Sequence, residues 1–128
     1  MKTLFTSLCL FFASLFSCQQ KGSDFKSLST DEFAALIADP EVQRLDVRTV
    51  AEYSEEHIPG SINIDVSDKE FETMADSVLQ KDKPVALYCR SGRRSKKAAS
   101  VLGRKGYIVY ELSGGFMGWK AAGKETEN

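Results

Sequence analysis

Short apolar runs and segments with helical spacing follow one another along most of the chain. Four runs bounded by Gly, Pro or charged residues are typical of strands, and they lie at 42–47, 61–64, 85–88 and 107–112. Apolar residues recur three and four positions apart, as in amphipathic helices, at 33–37, 71–79, 98–102 and 116–122. This alternation predicts an α/β fold with a central, mostly parallel sheet and helices on both faces.

Two Ser-x-x-Glu sequences predict the starts of two helices. In such a capping box the Ser oxygen accepts a hydrogen bond from the Glu backbone N–H, and the carboxylate accepts one from the Ser N–H. Ser29 and Glu32 precede the first helical segment, and Ser67 and Glu70 precede the second. We therefore expect a capping box at both positions.

The first 17 residues predict an export signal. Lys2 precedes an apolar run at 4–16, which is too short to cross a bilayer as a helix but typical of a secretory signal. The run ends in Leu-Phe-Ser-Cys at 15–18, which resembles the lipobox of bacterial lipoproteins. That resemblance implies cleavage before Cys18, which is then lipidated. A plain cleaved signal and an uncleaved anchor are the alternatives.

This interpretation sets the expected domain boundaries and location. We expect a signal peptide at 1–17, a lipidated Cys18 with a polar tether at 18–26, a folded domain at 27–123 and a polar, frayed tail at 124–128. The protein is then exported and held by its lipid at a bacterial membrane, facing the periplasm or the outside.

Cysteine usage singles out Cys89. Of the three cysteines, Cys9 lies in the predicted signal and Cys18 is the predicted lipidation site, so the domain retains one. Exported domains normally pair their cysteines in disulfides, and an unpaired cysteine is either an inert buried thiol or a reactive one. A loop rich in Gly and Arg favours the reactive thiol.

The stretch around Cys89 has the composition of an anion site. The apolar run ends at Cys89, and the loop continues with Arg90, Ser91, Gly92, Arg93, Arg94 and Ser95 before a helical segment. Backbone N–H groups in a strand–loop–helix turn point inward and bind anions. Seven Lys or Arg and no acidic residue occur at 89–105, although the formal net charge of the chain is −1. We therefore expect a lowered pKa of Cys89 and an anionic substrate.

Five motifs, in this order, resemble a single-domain rhodanese. They are the segments 45–48, 52–53 and 57–64, the Cys89 loop, and the segment 112–119. The resemblance covers 25–123. It implies the rhodanese-like α/β fold, with Cys89 as the residue that carries sulfur.

The resemblance also implies a reaction. The Cys89 thiolate attacks the outer sulfur of thiosulfate or a related donor, and the persulfide then passes its sulfur to cyanide or a thiol. Loop N–H groups from Ser91 to Ser95 hold the terminal sulfur, and Arg90 with either Arg93 or Arg94 orients a dianionic donor. We expect no cofactor, no nucleic-acid partner and a monomeric protein.

Several other residues near these motifs have expected supporting roles. We expect Arg48 to pair with Glu52, and Asp46 to brace the end of its strand. His57 is expected to be a hydrogen-bonded turn residue rather than a general base, and Trp119 to cover the core. One cysteine and one histidine in the domain cannot supply the usual metal ligands, so no metal site is expected.

Two other functions stay open. The cysteine loops of phosphatases and arsenate reductases place five residues between cysteine and arginine, whereas four separate Cys89 from Arg94 and Ser95 stands at the phosphatase arginine position. The shorter loop disfavours an oxyanion enzyme. A membrane-tethered persulfide carrier or thiol relay with little turnover of its own would need the same cysteine.

Overall fold

A five-stranded parallel sheet forms the centre of the protein. The structure, a computed structural model, describes residues 24–128. Its strands are β1 (Lys26–Leu28), β2 (Gln43–Asp46), β3 (Ile62–Asn63), β4 (Val85–Tyr88) and β5 (Val109–Leu112). They pair in the order β1-β5-β4-β2-β3, every pair parallel, so that β4 lies in the middle.

Helices cover both faces of this sheet. They are α1 (Thr30–Ile37), α2 (Val50–Glu55), α3 (Phe71–Val78), α4 (Arg93–Arg104) and α5 (Gly115–Ala121). Buried residues of α3 and α4 pack with Val85 and Leu87 of β4, whereas those of α1 and α5 pack with Ala86 and Tyr88. Successive residues of a strand point to opposite faces, so β4 contributes to both cores. The predicted α/β fold is confirmed.

One predicted capping box is confirmed and the other is wrong. Ser29 Oγ accepts from the Glu32 N–H at 3.2 Å, and the Glu32 carboxylate accepts from the Ser29 N–H at 2.8 Å. Ser67 instead donates through both its N–H and its hydroxyl to Asp65, at 2.9 and 2.7 Å. The Ser67 side chain is therefore hydrogen-bonded to Asp65 and does not cap the helix. α3 begins after Glu70 without a side-chain cap.

The structure contains two elements that the apolar pattern did not predict, β1 and α2. β1 is an edge strand of three residues, of which only Leu28 is buried. No residue of α2 is buried, so this helix has no apolar face to produce a periodic signal. A capping box between Thr49 and Glu52 marks its start and was the available signal in the sequence.

The predicted fraying of the tail is wrong. The N–H of His57 donates to the Glu127 carbonyl at 2.8 Å, and the N–H of Glu127 donates to the His57 carbonyl at 2.9 Å. The indole N–H of the buried Trp119 donates to the Glu125 carbonyl at 2.8 Å. A buried indole donor needs an acceptor, and the tail supplies it.

The predicted signal at 1–17, Cys18 and most of the predicted tether lie outside the described residues. Within 24–128, no helix combines the length and the apolar character needed to cross a membrane.

Candidate active site

The residues from Cys89 to Gly92 join β4 to α4 at the carboxyl edge of the sheet. Cys89 directly follows β4, and Gly92 directly precedes α4 with a φ of 100°. A Cβ atom at Gly92 would overlap the carbonyl oxygen of Ser113. Glycine therefore allows both the left-handed turn and the close approach of the segment that follows β5.

The first turn of α5 holds the loop from the other side. The N–H of Phe116 donates to the Cys89 carbonyl at 2.8 Å, and the N–H of Met117 donates to the Arg90 carbonyl at 3.0 Å. Two loop carbonyls are thus fixed by backbone donors from a second element. The position of Cys89 does not depend on side-chain contacts alone.

Hydrogen-bond donors surround the sulfur of Cys89. Sγ accepts from the Gly92 N–H at 3.1 Å, and Ser95 Oγ lies 3.4 Å from it. Burial of Cys89, which is 1% exposed, raises the pKa of the thiol. The hydrogen bond with the Ser95 side chain and those from the N–H groups of Ser95, Gly92 and Ser91 outweigh burial, so the pKa of Cys89 lies below its ordinary value.

The loop arginines divide into two groups. Arg90 and Arg93 are exposed. Arg94 donates through both terminal nitrogens to the carboxylate of Glu52, at 2.8 and 3.0 Å. This pairing lowers the pKa of Glu52 to about 2. Arg94 is therefore engaged by α2, and the guanidinium groups that face solvent are those of Arg90 and Arg93.

The predicted pairing of Arg48 with Glu52 is wrong. Arg48 Nη2 lies 2.6 Å from Asp46 Oδ2, and its Nε lies 3.0 Å from Oδ1. Both residues are buried, and the Arg48 guanidinium also stacks 4.3 Å from the ring centre of Phe116. Arg48 lies only two residues after Asp46 and pairs with it locally. Glu52 instead faces Arg94. Asp46 does brace the strand end, because its carboxylate accepts from the Arg48 N–H.

A buried carboxylate behind Cys89 was missed by the sequence analysis. Glu111 on β5 is fully buried, and its Oε2 accepts from the Ser95 hydroxyl at 2.7 Å. Its Oε1 accepts from Ser27 at 2.5 Å and lies 3.2 Å from Lys96 Nζ. The sequence offered one weak signal, an acidic residue inside a predicted apolar strand.

A profile of the rhodanese-like domain matches residues 29–122, which is most of the chain. The chain belongs to the rhodanese-like domain family.

Relatives and solved structures agree with this assignment. The rhodanese-like chain is 38% identical over 71 residues to the thiosulfate sulfurtransferase PspE of Escherichia coli, covering 56% of this chain and 67% of PspE. It is 35% identical over 99 residues to the thiosulfate sulfurtransferase GlpE of Coxiella burnetii, covering 76% and 89% of the two chains. A rhodanese-related protein of Thermoplasma volcanium superposes with a TM-score of 0.71 at 28% identity, covering 80% and 98%.

An open cleft lies beside the rhodanese-like loop. It has a volume of about 420 Å³, and its walls carry apolar, acidic and basic side chains. They belong to Arg48, Glu52, Glu55, Glu56, Arg90, Phe116, Met117 and Lys120. Arg90 is the loop residue that borders it, so a ligand in this cleft would contact the side chain next to Cys89.

His57 and Trp119 have the structural roles that were predicted. The imidazole of His57 is buried, stacks on Tyr53 at 3.8 Å between ring centres, and lies 2.8 Å from the Tyr53 carbonyl. Trp119 is buried against Phe33. In the part of the chain that the structure describes, no cluster of His, Cys, Asp and Glu could hold a metal ion.

Proposed function

We propose that the protein is a sulfurtransferase that moves a sulfane sulfur from thiosulfate, or a related anionic donor, to a thiol or cyanide. The observation that carries this proposal is the hydrogen bond from the Gly92 N–H to Cys89 Sγ at 3.1 Å. It lies in a loop where several donors favour a thiolate. The relatives named thiosulfate sulfurtransferases support the same reaction.

The reaction proceeds in two displacements. The Cys89 thiolate attacks the outer sulfur of the donor, the sulfur–sulfur bond of thiosulfate breaks, and sulfite leaves with the bonding pair. The acceptor then attacks the terminal sulfur of the Cys89 persulfide, and Cys89 leaves as a thiolate. The loop N–H groups that face Sγ stabilise the negative charge in both steps.

The exposed arginines of the loop attract the anionic donor. Arg90 and Arg93 face solvent, and among residues 24–128 neither side chain forms an ion pair. Two unneutralised guanidinium groups beside a loop of N–H donors attract a small dianion. Because Cys89 is 1% exposed, a donor meets these outer side chains before it meets the sulfur.

Thiocyanate formation from thiosulfate and cyanide tests the proposal. The purified domain is expected to form thiocyanate, and Cys89→Ser is expected to abolish this activity while leaving the fold intact by circular dichroism. A Cys89→Ser variant as active as the parent would rule out a cysteine persulfide. A parent protein that forms the persulfide once and does not turn over would instead support the carrier function.

We also propose that Cys18 carries lipid and that the protein acts at a bacterial membrane, facing the periplasm or the outside. The Leu-Phe-Ser-Cys sequence at 15–18 after an apolar run supports this proposal. Metabolic labelling with a radioactive fatty acid is expected to label the full-length parent and not Cys18→Ala. Equal labelling of the two proteins, or none in the parent, contradicts lipidation at this residue.

A further inference from the structure

The carboxylate of Glu111 is fully buried next to the sulfur loop, and the two displacements above give it no role. Burying a carboxylate costs free energy unless hydrogen bonds and opposite charge compensate it. Within the sheet, Glu111 lies between Leu87 of β4 and Ser27 of β1. A buried acid at this position needs such compensation, and its contacts show which groups supply it.

The two oxygens of Glu111 have different partners. Oε1 accepts from the Ser27 hydroxyl at 2.5 Å and lies 3.2 Å from Lys96 Nζ. Oε2 accepts from the Ser95 hydroxyl at 2.7 Å. The same Ser95 Oγ lies 3.4 Å from Cys89 Sγ, which is hydrogen-bond distance for a thiol. Ser95, itself fully buried, therefore connects the thiol to one carboxylate oxygen.

A hydroxyl has one proton to donate and lone pairs to accept with. While Ser95 donates to Glu111, its oxygen can only accept from the side of Cys89, so the S–H of the thiol points at it. Cys89, Ser95 and Glu111 then form a directed chain of two hydrogen bonds. The chain ends at a carboxylate that can take up a proton.

We propose that Glu111, acting through Ser95, is the proton acceptor that converts the Cys89 thiol into the attacking thiolate; this inference rests on the proposed function. The S–H proton passes to Ser95 Oγ as the hydroxyl proton of Ser95 passes to Glu111 Oε2. The products are a Cys89 thiolate, a Ser95 hydroxyl that now donates to the sulfur, and a protonated Glu111. No electrons are transferred to or from a redox partner, and no proton leaves the site.

The relay keeps the charge of the buried site constant. Before the transfer Glu111 carries the negative charge, and afterwards Cys89 carries it. Deprotonation to solvent would instead leave two negative charges joined through one serine, in a region where charges interact strongly. The site would then carry one more negative charge, which would repel a dianionic donor. When the acceptor takes the sulfur and Cys89 leaves, the proton on Glu111 returns by the same path.

Charged groups from several elements surround this chain of hydrogen bonds. Lys96 of α4 contacts Glu111, and Arg94 of α4 is paired with Glu52 of α2. Beyond the end of β2, Arg48 is paired with the Asp46 carboxylate. None of these groups is interposed between Sγ and Oε2, where Ser95 is the connecting residue.

The pH dependence of Cys89 alkylation by iodoacetamide tests the relay without requiring sulfur transfer. In the parent, a proton that stays in the site on Glu111 makes the thiolate fraction independent of pH, so reactivity should show a flat region on the acid side before the final rise to the alkaline plateau. In Glu111→Gln the amide cannot hold this proton, so the flat region should be absent, and reactivity should rise about tenfold per pH unit in a single step. Glu72→Gln, on the exposed surface of α3, is the matched control and should leave the profile unchanged.

The shape of the profile separates the relay from a purely electrostatic effect. Loss of a negative neighbour alone would favour the thiolate and move a single-step profile to lower pH, with no flat region in either protein. A parent profile that has one step and differs from that of Glu111→Gln only in its midpoint therefore overturns the proposal. Iodoacetamide is neutral and needs no sulfur donor, so absence of sulfurtransferase activity would leave this result unaffected and would count against the proposed function only.

A second pair of variants does not depend on the folding of Glu111→Gln. Ser95→Ala breaks the chain between Sγ and Oε2 and should lose the same acid-side reactivity, whereas Ser95→Thr retains a hydroxyl and should recover it. A Ser95→Ala profile identical to that of the parent, or a Ser95→Thr profile identical to that of Ser95→Ala, contradicts the relay.

Discussion

Arg94 and Glu52 form a two-point ion pair that ties the sulfur loop to α2. The two nitrogen–oxygen distances are 2.8 and 3.0 Å, and Glu52 Oε1 also accepts from the Thr49 N–H at 3.1 Å. One carboxylate thus caps α2 and holds the start of α4. Arg94 therefore fixes the position of the loop, and Arg90 and Arg93 are the loop cations that a donor meets first.

The variant Glu52→Gln tests the stabilising effect of this pair. Glutamine can keep the capping box with Thr49, but it removes the charge that faces Arg94. The two side chains are 22% and 34% exposed, so we expect the free energy of unfolding at neutral pH to fall by about 0.5–1 kcal/mol. Urea unfolding measures the change, and Glu41→Gln, with a carboxylate that is 68% exposed, is the control. Equal losses in both variants would show that the pair adds nothing.

The same pair predicts a pH dependence of stability. Arg94 lowers the pKa of Glu52 from 4.5 to about 2. A carboxylate whose pKa is lower in the folded protein stabilises the fold above its unfolded pKa, and this contribution is lost as pH falls through the folded pKa. The difference between parent and Glu52→Gln should therefore be constant above 4.5 and disappear near pH 2. A difference that is undiminished at the acid end contradicts the assignment.

Arg90 and Arg94 should affect different kinetic constants. Arg90 is exposed beside the cleft, so Arg90→Ala should mainly raise KM for thiosulfate, by about tenfold for one lost charge-assisted contact. Arg94 positions the loop, so Arg94→Ala should mainly lower kcat. Added salt should reduce the parent's kcat/KM and reduce that of Arg90→Ala less. Arg104→Ala, at the far end of α4, is the control, and an Arg90→Ala variant with the parent's KM would rule out a binding role.

Gly92 is predicted to be required by two separable constraints. Gly92→Ala places a side chain at a φ of 100° and against the Ser113 carbonyl, whereas Gly123→Ala meets the left-handed backbone alone, at 73° with no atom within 4 Å. We expect Gly123→Ala to cost about 1 kcal/mol of unfolding free energy, and Gly92→Ala a further 1–3 kcal/mol, approximately. Thermal or urea unfolding measures both. Equal costs would indicate that the overlap with Ser113 is relieved without strain.

The sequence predicted the sulfur loop because its information is local. Cys89, the glycine that allows the turn and the basic residues lie within seven consecutive positions, and a strand and a helix with clear apolar patterns flank them. The α/β fold followed from the same alternation. The pairing of Arg48 was predicted wrongly, because Asp46 and Glu52 are both near it in sequence and only the fold shows which carboxylate faces it.

The relay residues could not be predicted, because they meet only in the folded protein. Glu111 is 16 positions from Ser95 and 84 from Ser27, and no spacing rule connects them. The parallel pairing of β1 with β5 brings Ser27 opposite Glu111. β1 itself was missed, since three residues with one buried side chain give no periodic pattern.

The intact mass of the protein after incubation with thiosulfate tests the central claim most directly. The parent domain is expected to gain the mass of one sulfur atom and to lose it on addition of cyanide, and the modified peptide is expected to contain Cys89. Cys89→Ser should show no gain. A parent protein whose mass does not change, or a Cys89→Ser variant that gains the same mass, would contradict the claim that Cys89 carries the sulfur.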